Sequence, residues 1–319
     1  MGAVLARYQE AFPHRVCSCY VEGSFADGSA MATSDLDLAI VFRDRFETGE
    51  FDEARKLATG CRSHESLELD VGVYDELSLS RGVPPMLKLG GRLIWGEEVL
   101  GRMPLVPIEV WARERMHASY WLLVNVFARP PVVDLPVNFP DPMGEFYGYQ
   151  DMRAGCGGGS SEESTRNLVR VTGWMATALV ALNSGTYVVA KQHCRTAYRR
   201  LVGDRWSPFL EDVYQTCRGR WAYRVPEDRA GRDHLRKICE RTLGFENRFL
   251  RSHRSFLVSQ LRRGSSAAQR DALWLMERIP YRDQAVRAAA AAVAERADAS
   301  LRGLAIRATA RLEAAIADG

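Results

Sequence analysis

The chain lacks any run of eighteen apolar residues, so no part of it reads as a membrane-spanning helix. Its first thirteen residues carry Arg7 and Glu10 and no long apolar stretch, which argues against a secretory leader. Cysteine is sparse and scattered: seven occur in 319 residues, and only Cys17 and Cys19 stand close together. Structural zinc usually needs C-x₂₋₄-C pairs or histidine partners, and neither pattern is present. These absences predict a cytoplasmic chain whose thiols are reduced and mostly buried. Lysine is the other scarce residue, at four of the 43 basic side chains.

What is present suits a chain with a substantial core. Hydrophobic residues make up 46% and charged residues 26%, which excludes a disordered tail or a disulfide-held miniature. The length suggests two domains, and the charge divides with it. Residues 1–106 hold 11 basic residues against 17 acidic; residues 107–319 hold 32 against 23. The excess concentrates at 191–263, with 18 against 8. Solvated helix faces would account for such a run. So would a surface for a polyanion such as a triphosphate or RNA.

The first hundred residues alternate strand and helix. Strands are expected at 16–21, 34–42, 66–74 and 92–95, with a helix at 51–60 that buries Phe51, Ala54, Leu57 and Ala58 and stops at Gly60. Beyond 107 the periodicity turns helical: 110–127, 162–183, 190–202, 208–221, 227–261 and further helices in 266–317, the last of them exposed. Between them, 130–161 is rich in Pro, Gly and Ser and carries Phe139, Phe146, Tyr147 and Tyr149, as a flexible functional loop would. The expected fold is α+β: a small mixed-sheet core over 1–106, followed by an all-helical domain over 107–319.

The chemistry concentrates where Gly23-Ser24 ends one strand and, ten residues on, Asp35-Leu36-Asp37 opens the next. Residues two apart in a strand share a face, so Asp35 and Asp37 project together while Leu36, Leu38 and Ile40 line the opposite, buried side. Adjacent carboxylates repel, and a hard divalent cation with oxygen ligands is the natural partner between them. Asp70 lies inside the alternating stretch Leu67 to Val73 on the polar side with Glu68 and Gly72, so either Asp70 or Glu68 is placed to be a third carboxylate. Gly23 and Ser24 offer backbone N–H groups without bulk, suited to phosphate oxygens, and Gly28 helps fold the intervening loop back.

Over roughly residues 12–100 this pattern resembles the nucleotidyltransferase superfamily, whose signature is Gly-Ser, a spacer of this length, and Asp-x-Asp. The resemblance implies a DNA-polymerase-β-like core and metal-dependent transfer of a nucleoside monophosphate with release of pyrophosphate. It further implies that Gly23 and Ser24 hold the triphosphate, and that Asp35, Asp37 and Asp70 bind two Mg²⁺ ions. Asp70 would act as metal ligand, general base, or both, with Glu68 as the alternative.

A second stretch, Leu182-Asn-Ser-Gly185-Thr-Tyr-Val-Val-Ala-Lys191-Gln-His-Cys-Arg195, resembles a segment of the streptomycin/spectinomycin-type aminoglycoside adenylyltransferases, with Ala190 where that family has Ser or Thr. There a lysine contacts the nucleotide's phosphates, which implies the same of Lys191.

The expectation is an enzyme that moves AMP from ATP, or another nucleoside triphosphate's monophosphate, to a hydroxyl of a small molecule such as an aminoglycoside-type antibiotic. One alternative keeps the chemistry but takes an RNA end, particularly tRNA, or a protein hydroxyl as acceptor; another is an inactive nucleotide-binding regulator. Around these, Arg218 to Arg224 mixes bases and aromatics as either a stacking surface or a packed helix end, and 145–149 reads as pocket lining or mobile surface. His193 and His234 read as structural.

Overall fold

The computed structural model describes residues 2–31, 34–62, 69–153 and 162–317. The described residues fall into two compact units: the first holds 2–111 and 185–197, the second 112–153, 162–184 and 198–317. The segment 185–197 thus lies with the N-terminal residues rather than with the helices that flank it in sequence.

In the first unit, α1 (Gly2–Ala11) precedes β1 (Val16–Glu22), α2 (Gly23–Asp27), β2 (Leu36–Phe42), α3 (Glu50–Arg62) and β3 (Leu69–Asp75). Then come α4 (Glu76–Arg81), α5 (Pro85–Gly90) and β4 (Arg92–Gly96). The strands lie in the order β3-β2-β1-β4. β1 is antiparallel to β2 and β4, while β2 and β3 are parallel. A parallel pair needs a crossover, and α3 is that connection.

The period-two pattern predicts one buried face, but both are covered. On one side Cys19, Val21, Leu36, Leu38, Ile40, Leu69 and Val71 pack with Val4 and Tyr8 of α1 and Ala54, Ala58 and Cys61 of α3. Tyr8 donates its hydroxyl hydrogen to the Ala54 carbonyl at 2.9 Å, tying the two helices together. On the other side Cys17, Tyr20, Ala39 and Val41 lie under Leu79, Val83, Leu87, Val99 and Leu100. α4 and α5 are each under two turns long, too short for a helical period to show in sequence. They start on chemistry instead: Asp75 accepts from the Ser78 amide at 2.7 Å in a capping box, and Pro85 opens α5.

Two expectations shift. β2 begins at Leu36, so Asp35 stands just ahead of the strand rather than within it. Phe51, in the first turn of α3, is 41% exposed and leans on Phe46, whereas Ala54, Ala58 and Cys61 further along the same helix are buried.

The C-terminal part is helical: α6 (Ile108–Val126), α7 (Arg166–Ser184), α8 (Lys191–Leu201), α9 (Ser207–Val213) running into a π-helical stretch Tyr214–Arg220, the 35-residue α10 (Arg229–Arg263), α11 (Ser266–Arg278), α12 (Gln284–Arg296) and α13 (Ala299–Ala317). The first three residues expected in a helix at 162–183 instead pair as a strand, β6 (Glu162–Ser164), with β5 (Asp151–Arg153). The last helix is not an exposed tail. Leu301, Ala305, Ala308, Leu312 and Ala315 recur at three- and four-residue steps and are buried, in contact with α11 and α12.

Residues 130–150 of the Pro- and Gly-rich stretch are anchored at several points, and 154–161 lie outside the described residues. The Val133 amide donates to the Pro280 carbonyl at 2.9 Å, and the Val137 amide to Asn247 Oδ1 at 2.8 Å. Phe146 and Tyr149 are fully buried. Arg129 and Glu246 form a buried ion pair beside the Tyr149 hydroxyl.

No helix among the described residues is long and apolar enough to cross a membrane. The described cysteines are buried thiols; Cys156 lies outside the described residues.

Candidate active site

The site is built where three strands end side by side. Glu22, the last residue of β1, stands directly opposite Asp37 of β2, and Asp37 is in register with Asp70 of β3. Neighbouring strands lie about 4.8 Å apart, so the three carboxylates form a file across the sheet. Alternation places Asp37 on the same side as Ala39 and Val41, and Asp70 on the side of Gly72, while Leu36, Leu38, Leu69 and Val71 turn to the other core. Asp37 and Glu22 are half-buried and Asp70 is exposed. Asp35, also half-buried, precedes Asp37 by two residues.

β1 passes directly into α2, and the junction needs glycine. Gly23 has φ +64°, and a β-carbon there would lie 2.4 Å from Asp37 Oδ2. No side chain fits that gap, so the backbone carrying Gly23 and Ser24 comes right up to the carboxylate. α2 ends at Gly28, again left-handed at φ +75°. The loop then folds back: the Ser29 amide donates to Asp27 Oδ1 at 2.9 Å, and the Met31 amide to Ser34 Oγ at 2.9 Å. Ala32 and Thr33 lie outside the described residues, as does Glu68, the alternative third acid.

Two residues enter that local pattern did not single out. Glu22 is one. Its carboxyl is pushed up to about 7, first by burial and then by the negative charges of Asp37 and Asp70. Tyr74 is the other. Its ring folds back over Gly72, where an added β-carbon would lie 3.0 Å from the ring. Burial, then Glu22 and Asp70, push the Tyr74 hydroxyl up to about 12, so it stays protonated beside the acids. The signal for both was strand alternation, but only cross-strand register brings Glu22 to Asp37.

Lys191 begins α8 within the first unit. Its segment is held there by neighbours: the Tyr187 hydroxyl donates to the Val106 carbonyl at 2.6 Å, the Tyr187 ring lies 5.3 Å from Trp111, and Gln192 Nε2 reaches Asp27 Oδ2 at 3.5 Å. The Asp27 contact brings the start of α8 to the end of α2, the helix that Gly23 and Ser24 open.

The acids offer hard oxygen donors of the kind Mg²⁺ prefers, and the Gly23 backbone lies against Asp37 with no side chain between them. That donor set fits a divalent ion. Among the described residues, no three His, Cys, Asp or Glu side chains close into a ready-made metal cage. The file is an open row of acids.

The softer candidates resolve into packing. Arg218 is buried, lies over the Tyr214 and Tyr223 rings, and donates to the Tyr223 hydroxyl at 3.0 Å, so this stretch is a packed helix end. Glu145 pairs with Arg232 and Arg236. His234 lies 3.1 Å from Asp212, and His193 is exposed on α8.

Residues 4–125 match a family model described as a nucleotidyltransferase domain. The chain is a transferase by that domain. No curated protein matches the sequence. One similar solved structure is a spectinomycin adenyltransferase, AAD(9), from Enterococcus faecialis, with ATP and spectinomycin. It is 10% identical, with a TM-score of 0.43, and the match covers 76% of this chain and 97% of that one. A likeness this distant bears on neither fold nor substrate.

Proposed function

We propose that this transferase moves a nucleoside monophosphate, AMP from ATP, to a hydroxyl of a small molecule such as an aminoglycoside-type antibiotic, and releases pyrophosphate. The observation that carries the reading is the file of carboxylates across β1, β2 and β3 with Gly23 pressed against Asp37. Attack of a hydroxyl on the α-phosphorus needs neutralised phosphate charge, in-line placement and a proton acceptor. In this reading Gly23 and Ser24 present backbone N–H groups to the triphosphate. Asp35, Asp37 and Asp70 hold Mg²⁺, and Asp70, the most exposed of the three, accepts the proton of the attacking hydroxyl. Bound divalent ions supply charge neutralisation on the phosphates. Lys191 adds a cation toward the phosphates, a role favoured by the contact of its neighbour Gln192 with Asp27.

The small acceptor is favoured over RNA by where the basic excess goes. Arg232 and Arg236 pair with Glu145, Arg241 with Asp212, and Arg254 with Asp283. Glu145 and Asp283 come from outside 191–263, so they balance charge that a count over that window leaves open. An inactive regulator has no use for four acids at one sheet end, since like charges set side by side weaken it.

The test is incubation with α-labelled ATP, GTP, CTP and UTP, Mg²⁺, and either an aminocyclitol panel or total tRNA. Label in a small product is expected. Label in RNA would move the acceptor to the alternative, and label in neither, with nucleotide still bound, would favour the regulator.

A further inference from the structure

We propose that the second unit holds a binding cavity, walled by residues 129–140, for a small uncharged molecule with an apolar body and one carbonyl or ether oxygen. A cavity of about 240 Å³ lies between that segment and the helices α6 and α10. Val124 and Leu250 wall it from the helices, and Val137 and Phe139 from the segment. An apolar cavity of roughly 150 Å³ already admits one aromatic ring. Pro130, Pro136 and Pro140 also line it, and proline offers no N–H to a ligand. The wall is held from outside. The Asn247 side chain accepts from the Val137 amide at 2.8 Å and donates to the Val137 carbonyl at 3.0 Å, and the Phe139 ring stacks on Tyr147 at 4.2 Å. A wall fixed in this way loses little freedom when a ligand enters.

The polar feature of the wall is Arg129, whose side chain is only 5% exposed. Its Nη1 donates to the Asn138 carbonyl, and its Nη2 to Glu246 and to the Tyr149 hydroxyl. Its Nε is buried as well and has no partner among the described residues. A charged donor left buried and unbonded carries a desolvation cost that a ligand oxygen removes. Asp134, which also lines the cavity, is already paired with Arg282. The Arg129–Glu246 pair sums to zero charge, so a carboxylate brought to this wall would face Glu246 and an ammonium would face Arg129. A neutral oxygen acceptor on an apolar body meets both the walls and the Nε–H without that repulsion.

The experiment titrates the intact protein with cyclohexanone, methylcyclohexane, cyclohexanecarboxylate and cyclohexylamine, probes of similar size. It is done at about pH 8, above the value of about 7 to which burial raises the Glu246 carboxyl. Binding is followed by ligand-observed NMR, so the readout does not depend on turnover. Cyclohexanone is expected to bind saturably and at least about tenfold tighter than the other three. Val124→Phe, which fills the cavity from α6, should abolish that binding; where it fails to fold, Val137→Phe fills the cavity from the facing segment and is read in its place. Arg129→Met combined with Glu246→Met removes the ion pair as a whole and should erase the preference for cyclohexanone over methylcyclohexane. No saturable binding of any probe to the parent overturns the site, as does binding that survives the filling variants, since the probe then sits elsewhere. A parent that takes methylcyclohexane or the carboxylate as tightly as cyclohexanone overturns the role of Arg129 and with it the ligand class.

Discussion

A β-carbon at position 23 would meet Asp37 Oδ2 at 2.4 Å, on a backbone whose φ is +64°. Gly23→Ala is therefore expected to lose about 1–3 kcal/mol of stability from the left-handed backbone alone, and most turnover because Asp37 must move. Melting curves and label transfer check it; an alanine variant matching the parent in both contradicts the close approach. Asp70→Asn separates metal binding from proton transfer. With Asp70 chiefly the proton acceptor, the variant still binds Mg²⁺-nucleotide but loses about 10²–10⁴-fold in rate, whereas loss of Mg²⁺-nucleotide binding would make Asp70 chiefly a metal ligand; a mild Asp70→Asn beside a damaging Glu68→Gln would exchange the two roles. At this scale Gly23, Asp37 and Asp70 were legible because alternation and the Asp-x-Asp spacing are local properties of the chain. Glu22 was not, since its neighbours are set by the pairing of β1 with β2, and no local pattern encodes register between strands.

Between elements, α6 and α10 meet at a half-buried His117 and a fully buried His253. His117 Nδ1 lies 3.3 Å from His253 Nε2, and His253 Nδ1 lies 3.0 Å from the Tyr281 hydroxyl, with the Tyr120 ring stacked on His253 at 4.4 Å. Burial, and then the nearby Arg113 charge, lower His117 to about 4; burial and His117 lower His253 far below its usual value. The unfolded chain binds protons on these rings below about 6.5, whereas folded His117 does so only near 4. Stability is thus full above about pH 6.5 and falls as pH drops from there toward 4. The melting temperature should decline across that window, and less steeply in His117→Phe. A parent slope that is flat, or unchanged in the variant, contradicts this.

The helices themselves were legible from their 3.6-residue period, whereas the anchoring contacts of residues 130–150 were not. Their partners, Pro280 and Asn247, stand more than a hundred residues away, and a Pro- and Gly-rich composition gives no hint of them. The burial of α13 was hidden for a related reason: its stripe is mostly alanine, whose pattern shows only when α11 and α12 are laid against it.

Across the whole chain, the basic excess of 191–263 is a count along the sequence, while the ion pairs reach outside it to Glu145 and Asp283. That difference sets the expected salt response. RNA held by several free arginines would lose affinity by about 10³ or more between 50 and 200 mM salt, as each neutralised phosphate releases counterions. A small acceptor should show a much shallower dependence, with Lys191→Ala causing a large loss in nucleotide use. A steep salt slope in the acceptor's KM, with Lys191→Ala nearly silent, would favour RNA.

The most direct test of nucleotidyl transfer at this sheet end compares parent and Asp37→Asn with α-labelled ATP, Mg²⁺ and a hydroxylated acceptor, following labelled product and pyrophosphate together. The parent should form both in equal amounts, and Asp37→Asn, folded and melting as high as the parent, should form neither. Equal transfer by the two proteins, or label transferred by the parent without pyrophosphate, would contradict the assignment.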